Sequence, residues 1–171
     1  MLEDIHIGCS STKTKYGKRL DTTIVELNPN AKISGLFTSN KFKSAPVQVC
    51  LNQIKTKMKG KKMLIINAGN ANAATGKAGI RDTNKLIKNV STLSGIPTNQ
   101  ILPFSTGVVG ELLDMKSLTP AFSESFKNLK RNSWDDFATA IMTTDTKNKF
   151  VKVTGKIAVS YTHLRAHETT S

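Results

Sequence analysis

Met63-Leu64-Ile65-Ile66, then Asn67-Ala68-Gly69-Asn70-Ala71-Asn72-Ala73-Ala74-Thr75-Gly76, then the segment from Asp82 to Gly95, sets the fold class of this chain. The apolar residues lie between lysines and a polar loop, as a buried strand would. Beyond the loop, Asp82 is placed to cap a helix carrying Leu86, Ile87, Val90 and Leu93 on one face, and Gly95 and Pro97 stop it. Strand, polar loop and amphipathic helix in succession build α/β proteins. Upstream, the β-branched Thr22-Thr23-Ile24-Val25-Glu26-Leu27 reads as a strand and Asn28-Pro29-Asn30 as a turn, with Lys32 to Thr38 extended again. Ala45-Pro46-Val47-Gln48-Val49-Cys50 reads as another short strand. Downstream, the pattern predicts a helix from near Ser117, with Pro120 in its first turn and Phe122, Phe126 and Leu129 on the buried side. Ser133-Trp134-Asp135-Asp136 resembles a capping box, and Trp134, Phe137, Ala138 and Ile141 follow at helical spacing as core. Phe150-Val151-Lys152-Val153 and Lys156-Ile157-Ala158-Val159 flank Thr154-Gly155 as a hairpin. The expectation is an α/β fold with a mixed sheet.

A length of 171 residues suits one domain or part of a larger one. Apolar residues make up 38% and charged residues 22%, which places the chain with soluble globular proteins. No apolar run approaches the roughly 20 residues that span a bilayer, and Met1-Leu2-Glu3-Asp4 does not open a secretory signal, so no membrane partner is expected. Cys9 and Cys50 can build neither a disulfide framework nor a metal site, and read as reduced thiols of a cytoplasmic protein. The net charge of +13 raises the question of nucleic acid. The lysines are scattered, apart from Lys55, Lys57, Lys59, Lys61 and Lys62, where no aromatic residue offers a stacking platform. That cluster reads as a solvated loop or helix end, and the overall charge suits small anionic substrates equally well.

Three runs carry candidate chemistry. Ser105-Thr106-Gly107-Val108-Val109-Gly110-Glu111 follows the apolar Ile101-Leu102-Pro103-Phe104. Glycine lets a backbone approach a ligand closely, and a neighbouring threonine adds a hydroxyl, so the pair could present donors to an oxyanion. An ordinary tight turn explains the run equally well. Asn67 to Gly79 sits where a phosphate-binding loop would, but Gly69 and Gly76 are seven apart and Lys77 is followed by Ala78, which breaks that motif. A turn whose asparagine amides satisfy neighbouring backbone groups is the alternative. In Ala140-Ile141-Met142-Thr143-Thr144-Asp145-Thr146, the threonines read as helix-end punctuation. His163 and His167 are four apart beside Glu168, and His6 is the remaining histidine, so neither a metal site nor a Ser-His relay is expected.

In this order, together with Gly35-Leu36-Phe37-Thr38-Ser39-Asn40 and Ala45-Pro46-Val47, these runs closely resemble the ornithine acetyltransferase (glutamate N-acetyltransferase) family, bifunctional enzymes of arginine biosynthesis. The resemblance runs from Ile5 to Val159. Ala74 stands where the family usually has Cys, and Asn148 where it has Pro. It implies a layered α/β sandwich with a mixed sheet, in which residues 1–159 are the N-terminal, alpha-chain part of an autoprocessed two-subunit fold. It also implies acetyl transfer from N-acetylornithine, and in bifunctional members from acetyl-CoA, to glutamate. No metal or bound cofactor is implied.

The family's nucleophile is an N-terminal threonine freed by autocleavage, and no such threonine stands in this chain. The chain alone is therefore expected to be inactive, with the beta subunit of the same precursor as its partner in a higher oligomer. By the same resemblance, the Thr106 side chain and the Gly107 backbone N–H form the oxyanion hole, and Thr143 binds substrate. Residues 160–171 have no counterpart in the resemblance and are expected to be a non-native or disordered tail. Two rival readings are a nucleotide-binding α/β domain, which the loop spacing contradicts, and a basic nucleic-acid-binding module, which rests on charge alone.

Overall fold

A computed structural model describes residues 5–151 and 153. The chain forms β1 (Ile5–Ser10), β2 (Thr22–Leu27), α1 (Ala45–Ile54), β3 (Lys62–Asn70) and α2 (Gly76–Ser94). A short 3-10 turn, Thr98–Gln100, leads into β4 (Ile101–Val108), followed by α3 (Met115–Lys127), β5 (Lys130–Arg131) and α4 (Trp134–Ala140). The strands make one five-stranded sheet in the order β4-β3-β2-β1-β5. β3 and β4 are parallel and every other pairing is antiparallel, so the expected mixed sheet is present. A parallel pair needs a long crossover, and α2 supplies it.

Side chains alternate across the pleat. Ile24, Met63 and Ile65 face α1, α2 and α3, packing with Val49, Leu86, Ile87, Val90, Leu118 and Phe122. Ile7, Cys9 and Val25 face the other way, toward Ala140, Trp134 and Phe137 at α4, with Leu64 and Ile66 partly buried beside them. None of the described helices is long and apolar enough to cross a membrane.

Several local expectations are corrected. Residues 45–50 open a helix rather than a strand. Pro46 lies in its first turn, where no backbone donor is needed, and Ala45, Pro46, Val49 and Cys50 are buried. The β-branched Val47 and Val49 had masked that period. Lys32 to Thr38 joins no ladder. α2 starts at Gly76, so Asp82 lies inside it, 5% exposed and bonded to Arg81 Nε at 3.1 Å, and Leu93 is 44% exposed. Two weak helix formers, Gly76 and Gly79, disguised its opening turns. α3 starts before Ser117, with the Asp114 carboxylate accepting from Lys116 N and Ser117 N, and Pro120 falls inside it. Ser133 makes no side-chain cap bond and its Oγ is buried without a partner; its φ of −86° and ψ of 39° are not those of a capping residue.

Of the expected hairpin, Phe150, Val151 and Val153 are exposed and outside any strand. Lys156-Ile157-Ala158-Val159 and the tail 160–171 lie outside the described residues. Lys62 departs from its solvated neighbours: it is 3% exposed, and its Nζ donates to the carbonyls of Pro29 and Gly60.

At Gly8 the end of α3 comes close against the sheet. A Cβ there would stand 2.0 Å from Ser125 O and 2.8 Å from Leu129 N, both backbone atoms of the segment ending α3. Around it, Ser10 Oγ donates to Ala121 O at 2.6 Å, and Ser125 Oγ reaches Ser10 Oγ and Thr22 Oγ1. Gly8→Ala must push α3 off the sheet, an overpacking cost of about 2–3 kcal/mol. Thermal unfolding followed by circular dichroism should show Tm lower by about 5–10 °C. An unchanged Tm would contradict this packing.

Candidate functional site

The carboxyl ends of the parallel strands β3 and β4 lie side by side, pairing Asn67 with Ser105, Ala68 with Thr106, Gly69 with Gly107 and Asn70 with Val108. Both glycines are in positive-φ conformations, Gly69 at +100° and Gly107 at +131°. A Cβ on Gly107 would stand 2.3 Å from Gly69 C and 2.6 Å from Asn70 N. Gly107 is therefore required twice, for its backbone conformation and for the close approach of two main chains. The adjoining Thr106 is half-buried, and among the described residues its hydroxyl has no hydrogen-bond partner. A free hydroxyl beside a backbone N–H on a glycine is a donor pair that an anion can use.

The asparagine-rich run braces this end of the sheet. Ser105 Oγ donates to Asn67 Oδ1 at 2.6 Å, and Asn67 Nδ2 to Asn70 O at 2.9 Å. Past the strands, Ala71 N bonds Val108 O at 2.8 Å and Gly110 N bonds Ala73 O at 2.9 Å. Asn70 Nδ2 donates to the carbonyls of Glu111 and Leu112. Asn72 is wholly buried with φ +46°, and its amide donates to Gly79 O and Thr83 Oγ1. The amides thus satisfy neighbouring backbone groups, and by doing so they hold the segment that follows Thr106 and Gly107.

Thr143 lies beyond α4, which ends at Ala140. It is half-buried and, among the described residues, its hydroxyl bonds nothing, so it caps no helix. Its main chain is tied elsewhere: Arg19 Nη2 donates to Met142 O at 3.0 Å and to Thr143 O at 3.5 Å. The Arg19 guanidinium lies over the Tyr16 ring, 3.7 Å from its centroid. That ring in turn covers Gly69, where a Cβ would meet it at 3.1 Å, and Lys15 Nζ donates to Gly69 O at 3.0 Å. Residues 15–19 therefore join Thr143 to the strand ends that carry Thr106 and Gly107. Sequence reasoning missed this loop because Lys-Tyr-Gly-Lys-Arg between two strands looks like any solvated turn.

Asp21, 2% exposed, anchors the loop by accepting from Thr12 N and Thr12 Oγ1, while its carbonyl accepts from Ala68 N at 2.8 Å. A cavity of about 180 Å³ opens there, lined in part by Thr12, Lys15, Asp21, Asn70 and Glu111. Thr106 and Gly107 are not among its lining residues. Asp114, also at its wall, has its carboxyl held below the usual range, chiefly by the Ser117 hydroxyl. Asp145 is similarly lowered by its hydrogen bond from Lys149, at 2.7 Å.

The cysteines are poor nucleophiles in this setting. Cys50 is 3% exposed, donates to Pro103 O at 3.2 Å and is pushed by burial to about 11. Burial also raises Cys9.

Comparison with known proteins bears on this geometry. The model of the ArgJ family matches residues 6–166, a span that runs past Val159. The arginine biosynthesis bifunctional protein ArgJ of Colwellia psychrerythraea is 37% identical over 153 residues, covering 84% of this chain and 36% of that protein. Its namesake from Methylococcus capsulatus is 34% identical over 145 residues, covering 85% of this chain and 35% of that protein. The chain thus spans about a third of the length of the curated relatives it matches. Among solved structures, ornithine acetyltransferase complexed with ornithine from Mycobacterium tuberculosis superposes with a TM-score of 0.78 at 27% identity, covering 84% of this chain and 78% of that one. The arginine biosynthesis bifunctional protein ArgJ of Bacillus halodurans superposes with a TM-score of 0.70 at 30% identity, covering 84% and 74%.

Proposed function

The chain belongs to the ArgJ family, and from that premise we propose that residues 1–159 are the N-terminal, alpha-chain part of an acetyltransferase of arginine biosynthesis. The enzyme moves an acetyl group from N-acetylornithine to glutamate, with acetyl-CoA as a second donor in a bifunctional member. The observation that carries this reading is Thr106 beside Gly107, where Gly107 lies too close to Gly69 to carry a side chain. Ornithine, found in the Mycobacterium tuberculosis relative, is N-acetylornithine without its acetyl group, which supports the substrate class. The family leaves the nucleotide-binding and nucleic-acid readings without support. The net charge of +13 suits substrates that bear carboxylates.

In this mechanism the attacking group is an N-terminal threonine supplied by the beta subunit after autocleavage. Its hydroxyl attacks the acetyl carbonyl, with its own amine as base, and an acetyl-enzyme forms as ornithine leaves. Glutamate then takes the acetyl group through a second tetrahedral intermediate. The Thr106 hydroxyl and the Gly107 N–H donate to the oxyanion of each intermediate, a donor of this kind being worth roughly 3 kcal/mol. Thr143 holds the substrate. The two subunits assemble into a higher oligomer that works in the cytoplasm, and the chemistry calls on no metal or bound cofactor.

The purified 171-residue chain should transfer no acetyl group from N-acetylornithine to glutamate, and co-expression with the beta subunit of a relative should produce turnover. Transfer by the chain alone would overturn the reading, because the nucleophile would then lie among its own residues.

A further inference from the structure

We infer that Arg19, seated on Tyr16, is a positioning residue that fixes Thr143 relative to Thr106 and Gly107. The inference rests on the assignment of those residues under the proposed function. Main-chain bonds from α4 reach as far as Met142, whose N–H bonds Thr139 O at 3.2 Å, and from Thr143 to Lys149 the chain carries no regular structure. Among the described residues, Arg19 is the side chain that donates to the carbonyls of Met142 and Thr143.

The guanidinium is itself held from below. Its Cζ lies over the Tyr16 ring, a cation–π contact, and that ring stands where a side chain on Gly69, the residue paired with Gly107, would be. Lys15 fastens the same loop to the Gly69 carbonyl. Arg19 Nε is buried without an acceptor, so the ring and the two carbonyls set the guanidinium's position, not a full complement of its own hydrogen bonds. The path from the oxyanion donors to the substrate threonine therefore runs Gly107, Gly69, Tyr16, Arg19, Thr143: a ladder pair, a ring standing where a Gly69 side chain would be, a cation–π contact and a hydrogen bond. A side chain acting this way should affect substrate binding through Thr143 and leave the oxyanion donors in place.

The test uses the complete enzyme, this chain assembled with its beta subunit, and steady-state kinetics with N-acetylornithine. Arg19→Met should raise KM about tenfold and leave kcat within about twofold. Arg19→Lys should recover part of that loss, because an ammonium keeps a positive donor near the ring and a carbonyl, but lacks the flat guanidinium whose seat on the ring places Nη2 between the two carbonyls. Thr143→Val should raise KM as well, and the double variant Arg19→Met/Thr143→Val should be no worse than Thr143→Val alone within about twofold, as expected when one residue acts through the other. An unchanged KM in Arg19→Met, or a double variant whose loss is the product of the two single losses, would overturn the inference. If Arg19→Met does not fold, Arg19→Lys alone decides, since its KM must rise above that of the unsubstituted enzyme. Thr106→Val reports on the underlying reading: intact kcat there removes the oxyanion assignment and leaves the coupling between Arg19 and Thr143 standing.

Discussion

Gly107→Ala should destabilise the chain by about 4 kcal/mol, far more than a typical surface substitution. Two costs add. At φ +131° an L side chain is strained, and its Cβ would be driven to within 2.3 Å of Gly69 C and 2.7 Å of Gly69 Cα. These are main-chain atoms of a paired strand, so the strand must move. Gly110 separates the two effects: it also has positive φ, +88°, but nothing lies within 4 Å of its Cβ position. Gly110→Ala should therefore cost only the conformational part, about 1 kcal/mol. Thermal unfolding of both variants should place Gly107→Ala about 10 °C below the unsubstituted chain and Gly110→Ala within about 4 °C of it. Equal shifts would mean that the contact between β3 and β4 at Gly69 is not as close as described.

Thr106→Val should lower kcat of the assembled enzyme by about 100- to 1,000-fold while KM for N-acetylornithine stays within a few-fold. Valine keeps the shape and the β-branching that suit β4, and removes the hydroxyl donor. That hydroxyl has no partner among the described residues, so its loss leaves no protein group unsatisfied and stability should hold. In the proposed mechanism the charge assigned to it exists in the tetrahedral intermediates and not in the bound substrate, which is why the deficit should fall on turnover. A rise in KM with intact kcat would move Thr106 from oxyanion stabilisation to ground-state binding.

The same contrast between local and distant causes explains what could be read without a structure. β2 and the start of β3 are legible because β-branched and apolar residues at Thr22–Leu27 and Met63–Ile66 leave little choice of conformation. The end of α2 is legible because Gly95 takes φ +71°, and its N–H closes on Ser91 O. α1 was misread because local β propensity at Val47 and Val49 opposed a helix that Pro46 and burial against the sheet impose. The capping box at Ser133 was misread because its pattern is local, whereas the backbone angles that make it work are not.

The order of the motifs pointed to the family to which the chain belongs, and that resemblance singled out Thr106, Gly107 and Thr143 as candidates. What links Thr143 to the strand ends that carry Thr106 and Gly107 could not be named. Lys15 and Gly69 are 54 residues apart in the chain, and Arg19 and Thr143 are 124 apart. Read alone, the amino-acid order settles residue types and the short-range conformations they favour: a buried strand, a glycine able to adopt positive φ, a threonine carrying a hydroxyl. The register of β3 on β4 that sets Gly69 against Gly107, and the fold of the loop after β1 over that pair to hold the Thr143 main chain, arise from packing across the whole chain. The physical reason is that propensity acts over a few residues, whereas register and loop placement are set by which distant groups must be buried or hydrogen-bonded together.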